Sequence, residues 1–151
     1  MNNPSHLSAR QLAAALALAA GLAACSAPAE QGITTEQAAP YDGIAADEII
    51  TLTGTEPFWG VKIENDVATY LTPDNPSGIV FEVSRFAGNN GLGFSGKLDG
   101  AEVTITVTPG ECSDGMSDRA YPFTATVKLG EVNLAGCGYT DRQGFTGEEA
   151  P

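Results

Sequence analysis

The sequence predicts an all-β fold: a small antiparallel β-barrel or sandwich of about eight short strands. Three observations predict it. Apolar and polar residues alternate with a period of two through most of the chain after Gly43, as they do on strands with one face in the core and one in water. Turn residues recur at short spacing, at Asn65-Asp66, Asp99-Gly100 and Gly130-Glu131, and so divide the chain into strand-length runs. Beyond Gly43 no stretch keeps a helical period for more than about two turns.

The first run, Glu48 to Thr53, is mixed and is expected to end at Gly54. Trp59, Val61 and Ile63 alternate with Gly60, Lys62 and Glu64, and Asn65-Asp66 separates them from Val67 to Leu71, a hairpin pattern. Thr72 to Gly78 reads as a loop. After it Ile79, Phe81 and Val83 share one parity against Glu82 and Ser84, and Gly88 to Gly91 is a further loop. Leu92, Phe94 and Leu98 lead to Asp99-Gly100, the strongest hairpin signal of the chain, because both central residues of a type I′ turn need positive φ. Val103, Ile105 and Val107 then alternate with Glu102, Thr104, Thr106 and Thr108. Phe123, Ala125 and Val127 follow the same rule against Thr124, Thr126 and Lys128. Gly130-Glu131 turns the chain, and Val132 to Leu134 runs on to Gly136-Cys137. The polar residues after Tyr139 are expected to fray, so that 141–151 is a disordered tail to a β domain spanning 44–140.

The first 43 residues have a different character. A polar start ending in Arg10, the apolar run Leu12 to Ala20 and the small-residue end Gly21 to Ala24 describe a secretory signal over 1–24, too short in its apolar part to span a bilayer. Leu22-Ala23-Ala24-Cys25 resembles the lipobox of bacterial lipoproteins. That resemblance implies that Cys25 is acylated and opens the mature chain, with the membrane as a partner. Several acyl chains hold firmly, since each buried methylene contributes about 0.8 kcal/mol. Ser26 stands where such lipoproteins carry an aspartate for inner-membrane retention, which favours the periplasmic face of the outer membrane. From Cys25 to Gly43 the composition shifts to Ala, Pro, Gln and Glu, too poor in apolar surface to offset ordering entropy. Such a tether holds the domain about 20 to 25 Å from the membrane on average.

Composition excludes several function classes. The formal charge is −12, with 19 acidic and 7 basic residues, so nucleic acid is not expected as a partner and a cationic envelope protein is. The one histidine, His6, lies in the signal segment, which leaves the mature chain without Ser-His-Asp or Cys-His catalysis and without histidine metal ligands. Gly91-Leu92-Gly93-Phe94-Ser95-Gly96 matches a dinucleotide fingerprint literally, but such a loop must open a helix and this one leads into a hairpin. No cofactor is expected. Glu111 to Asp118 is rich in side-chain oxygens but lacks the order of an EF-hand loop, so no metal is expected. Ser113, Asp114, Ser117 and Asp118 are instead expected to satisfy backbone donors of a turn-rich loop. No pair of acidic residues stands out as a catalytic pair for glycoside hydrolysis, and no enzymatic activity is expected.

Glu56-Pro57-Phe58-Trp59 is the most unusual local sequence. Pro57 holds Glu56 extended and removes a donor, which suits a strand start or edge. Trp59 suits two roles, a plug at one end of the core with Phe58 over the rim, or an accessible lip with Glu56 and Phe58.

Glu56 to Trp59, together with Cys112, Met116-Ser117-Asp118, Tyr121-Pro122 and Gly136-Cys137, resembles a group of bacterial envelope lipoproteins linked to the META domain and to the membrane-bound inhibitor of c-type lysozyme. The group has no assigned activity to carry over. The resemblance covers about residues 48–138 and implies a Cys112–Cys137 disulfide. It also marks Glu56, Trp59, Met116, Ser117, Asp118 and Tyr121 as signature positions. With Phe58 these form the expected binding set. The bridge would close a loop of about 25 residues and stabilise the fold by about 3.5 kcal/mol, a large share for a domain of about 100 residues. The expected function is that of a lipid-anchored, non-catalytic binding or envelope-maintenance module, with inhibition of a cationic hydrolase such as c-type lysozyme as the alternative.

Overall fold

A computed structural model describes residues 39–148; the signal segment, Cys25 and most of the tether lie outside the described residues. The described chain is all-β, a closed antiparallel barrel of eight strands in sequential order. The strands are β1 (Ile50–Thr55), β2 (Phe58–Glu64), β3 (Val67–Thr72), β4 (Asn75–Ala87), β5 (Leu92–Leu98), β6 (Ala101–Ser113), β7 (Ala120–Leu129) and β8 (Val132–Thr140). Pairing of β1 with β8, from Ile50 opposite Thr140 to Thr53 opposite Cys137, closes the wall. Closure distinguishes a barrel from the sandwich and leaves no sheet edge unpaired.

The expected turns form where local sequence favours them. Asn65 and Asp66 sit at φ 49° and 62°, and Asp99 and Gly100 at φ 50° and 86°, as a type I′ hairpin requires. Two boundaries differ from expectation. β1 runs through Gly54 to Thr55, because the missing side chain makes room for the Trp59 indole directly opposite it in the ladder. The loop expected over Thr72 to Gly78 shrinks to Pro73-Asp74, with β4 beginning at Asn75 across an irregular register.

Alternation sends Leu52, Trp59, Val61, Phe94, Ile105, Val107, Phe123 and Val127 into the interior, all at most 4% exposed. Residues 41–49 close one end. Tyr41 packs against the core and Ile44 is buried in it, so the packed region begins before the expected boundary at residue 44. Glu48 is buried there, accepting hydrogen bonds from Ala45 N at 2.9 Å, Thr140 Oγ1 and Gln143 Nε2. Burial alone would raise its pKa, but these bonds outweigh it and hold the carboxyl below its ordinary range.

Of the tail expected to be disordered, residues 141–148 are described and several of them are tied down, while 149–151 lie outside the described residues. Gln143 N donates to Thr140 Oγ1 at 2.9 Å, Asp141 Oδ1 accepts from Ile49 N at 2.9 Å, and Ala120 and Thr146 exchange backbone bonds of 2.8 and 3.0 Å. Polar composition misled here, because these residues satisfy neighbouring backbone groups while Phe145 supplies the apolar anchor.

Candidate functional site

β6 and β7 are longer than the wall needs, and their shared end leaves it. Strands two apart in a sheet lie about 9.5 Å from each other, yet Cys112 of β6 and Cys137 of β8 are disulfide-bonded with Cα atoms 5.5 Å apart. A register shift between Pro109 and Cys112 turns the hairpin end outward, so that it folds over the outer face of β8. Cys137 is fully buried beneath it.

Asp114 organises the folded-over loop. Its Oδ1 accepts from Met116 N and Ser117 N, both at 2.9 Å, and its Oδ2 from Ser117 Oγ at 2.7 Å and Tyr121 Oη at 3.2 Å. These donors, the Met116 N–H first, hold its carboxyl at a pKa of about 2. The depressed value means that Asp114 stabilises the loop above its unfolded pKa and ceases to do so as pH falls. The stability gap between the natural chain and an Asp114→Asn variant, followed by thermal denaturation, should be full near about pH 5 and close as pH falls through about 2.

Thr55 Oγ1 donates to the Asp114 carbonyl at 3.1 Å and so ties the loop to the β1–β2 turn. Two motifs more than fifty positions apart thereby meet. Tyr121 is buried, its ring 5.3 Å from Phe145 and 6.2 Å from Tyr139, and Phe145 meets Tyr139 edge-on at 5.1 Å. Arg119 lies over the Phe145 ring at 4.4 Å, a favourable cation–π contact. Burial, reinforced by the Asp114 charge, pushes the Tyr121 phenol up, so it stays neutral and donates.

This aromatic cluster forms one wall of a groove on the outer face of β1 to β3. Thr51, Thr53, Gly60, Lys62 and Leu71 form its floor. A second hollow, edged by Phe58, Pro73 and Pro76, shares Thr53, Gly60 and Leu71 with the first. The two are therefore one groove, each half about 290 Å³, near the lower bound for a small-molecule site.

The expected binding residues divide into groups. Glu56 and Phe58 are exposed on the turn, and Phe58, 54% exposed, edges the groove. Trp59 points inward at 4% exposure, its indole against Gly54 and Gly136, and its Nε1 is buried without a hydrogen-bond partner. It is a core plug and not an exposed lip. Met116 is exposed at the loop tip, Ser117 serves Asp114, and Asp118 is exposed beside the tail. Of the set, Phe58 and Tyr121 face the groove directly, with Trp59 beneath its end. Sequence reasoning missed Lys62, Arg119, Tyr139 and Phe145; the one available signal was an aromatic residue within an otherwise polar tail. No protein-family model, curated protein sequence or solved structure matches this chain, which leaves the groove's own geometry as the guide to what it does.

Proposed function

We propose that this chain is a non-catalytic binding module of the bacterial cell envelope, held by a lipid on Cys25 and engaging its ligand through the groove over β1 to β3. The observation that carries the reading is the construction of that groove. A disulfide, a clamped loop and an ordered tail converge to place three aromatic rings beside it, more structure than closing the barrel requires. The side chains lining it include apolar groups, aromatic rings and hydroxyls, a set suited to recognition.

A photo-crosslinking residue tests the surface. Placed at Phe58, on the groove's edge, it should capture an envelope component that the same probe at exposed Thr104 on β6 does not; identical products from both positions overturn the reading. The anchor has its own test. Cys25→Ala is expected to move the chain from the membrane to the soluble fraction, and continued membrane attachment would remove lipidation from the account.

A second reading is favoured by charge. A net −12 suits a cationic partner, and the loop around Asp114 would then inhibit a cationic hydrolase such as c-type lysozyme. Undiminished lysozyme activity with the chain at micromolar concentration disposes of it.

A further inference from the structure

The Cys112–Cys137 disulfide is not needed to close the barrel. Every strand of the wall is paired on both sides without it, and the bond instead fastens the folded-over end of β6 and β7 to the outer face of β8. That end carries Arg119 and Tyr121, two residues of the groove's wall. On the far side of β8 the end is linked to β1 by the hydrogen bond from Thr55 Oγ1 to the Asp114 carbonyl, at 3.1 Å. The position of the groove's wall thus depends on a covalent bond that can be broken and remade while the ladder stays intact.

The bond is also within reach from outside. A hollow of about 280 Å³ lies beside it, lined by both cysteines and by the small uncharged side chains of Thr55, Ser113 and Ala135. The one carboxylate in the lining, Asp114, is taken up by donors of its own loop. Access differs between the two sulfurs: Cys137 is 1% exposed, whereas Cys112 is half-buried. Disulfides exchange when a thiolate reaches one of their sulfurs, and access helps to decide which sulfur is attacked. An incoming thiolate therefore meets Cys112 Sγ.

Resting on the reading of the groove as a binding site, we propose that Cys112–Cys137 is a thiol–disulfide exchange site through which a dithiol protein of the envelope releases the groove's wall. A thiolate of the partner attacks Cys112 Sγ. The bond to Cys137 breaks, and its electron pair passes to Cys137 Sγ, which takes a proton from water. The partner's second thiolate then attacks the mixed disulfide, forming the partner's own disulfide and expelling the Cys112 thiolate, which is protonated in turn. This chain gains two electrons and two protons, and the dithiol loses both. The full-length chain in detergent, with the photo-crosslinking residue at Phe58, is incubated with reduced thioredoxin and then alkylated. Two new thiols should appear by mass, circular dichroism should keep its β signal, and capture at Phe58 should fall to the level of the Thr104 control and return on reoxidation. Thioredoxin lacking its second active-site cysteine should be trapped on Cys112. The chain with Cys112→Ala and Cys137→Ala together should capture at the low level whether or not thioredoxin is present. A bond that resists thioredoxin in the folded chain, trapping on Cys137, loss of the β signal on reduction, or capture that persists in the reduced chain or the double variant each overturns the inference and leaves the groove's function standing. Capture by the oxidised chain no better than at Thr104 overturns the parent reading, and the inference with it.

Discussion

Trp59→Ala should destabilise the chain by about 3 to 5 kcal/mol, the usual cost of emptying a buried aromatic site. The indole fills the space opposite Gly54 and beside Gly136, where side-chain atoms on either glycine would collide with it. Those glycines shape a socket for one ring, and no neighbour can extend into the void left by its removal. Because Nε1 has no hydrogen-bond partner, Trp59→Phe loses volume but no bond and should cost markedly less. Phe58→Ala, next along the strand and 54% exposed, should change stability by less than about 0.5 kcal/mol while reducing crosslinking or ligand binding at the groove. Urea unfolding midpoints of the three variants separate these roles. A Trp59→Ala chain of unchanged midpoint would place the indole at the surface and undo the assignment to the core.

Replacing Cys112 and Cys137 together by alanine should cost about 3.5 kcal/mol on the chain-entropy estimate for a separation of 25 residues. The loss should be uneven. The wall strands keep their ladder without the bridge, but the folded-over hairpin end is held to β8 by that bond and to β1 by the Thr55 to Asp114 hydrogen bond. Far-ultraviolet circular dichroism should therefore keep its β signal while proteolytic cleavage within 113–119 accelerates. Groove binding should fall with it, since Tyr121 and Arg119 stand on the released segment. Unchanged cleavage in the double variant would show that the Asp114 network holds the loop by itself.

The all-β class, the eight-strand count and the type I′ turns follow from sequence because their causes are local. A period of two is visible in Val103, Ile105 and Val107, and positive φ is written into Asn65-Asp66 and Asp99-Gly100. The ends of elements were less legible. Gly54 reads as a stop, and only the indole opposite it explains why the strand continues. The candidate site was legible in fragments: Phe58 and Tyr121 were found, while Tyr139 and Phe145 were hidden in a strand end and a polar tail.

The alternation of side chains along this sequence was enough to determine that its residues form short antiparallel strands with one face in a core, since each strand's periodicity is set within a few residues. Only the tertiary structure decided that β8 closes onto β1 and that the β6–β7 end folds over the wall. It also decided that Phe145 meets Tyr121 and Tyr139 beside the groove. Those contacts join residues far apart in the chain, and their free energy comes from packing and pairing that no local pattern encodes.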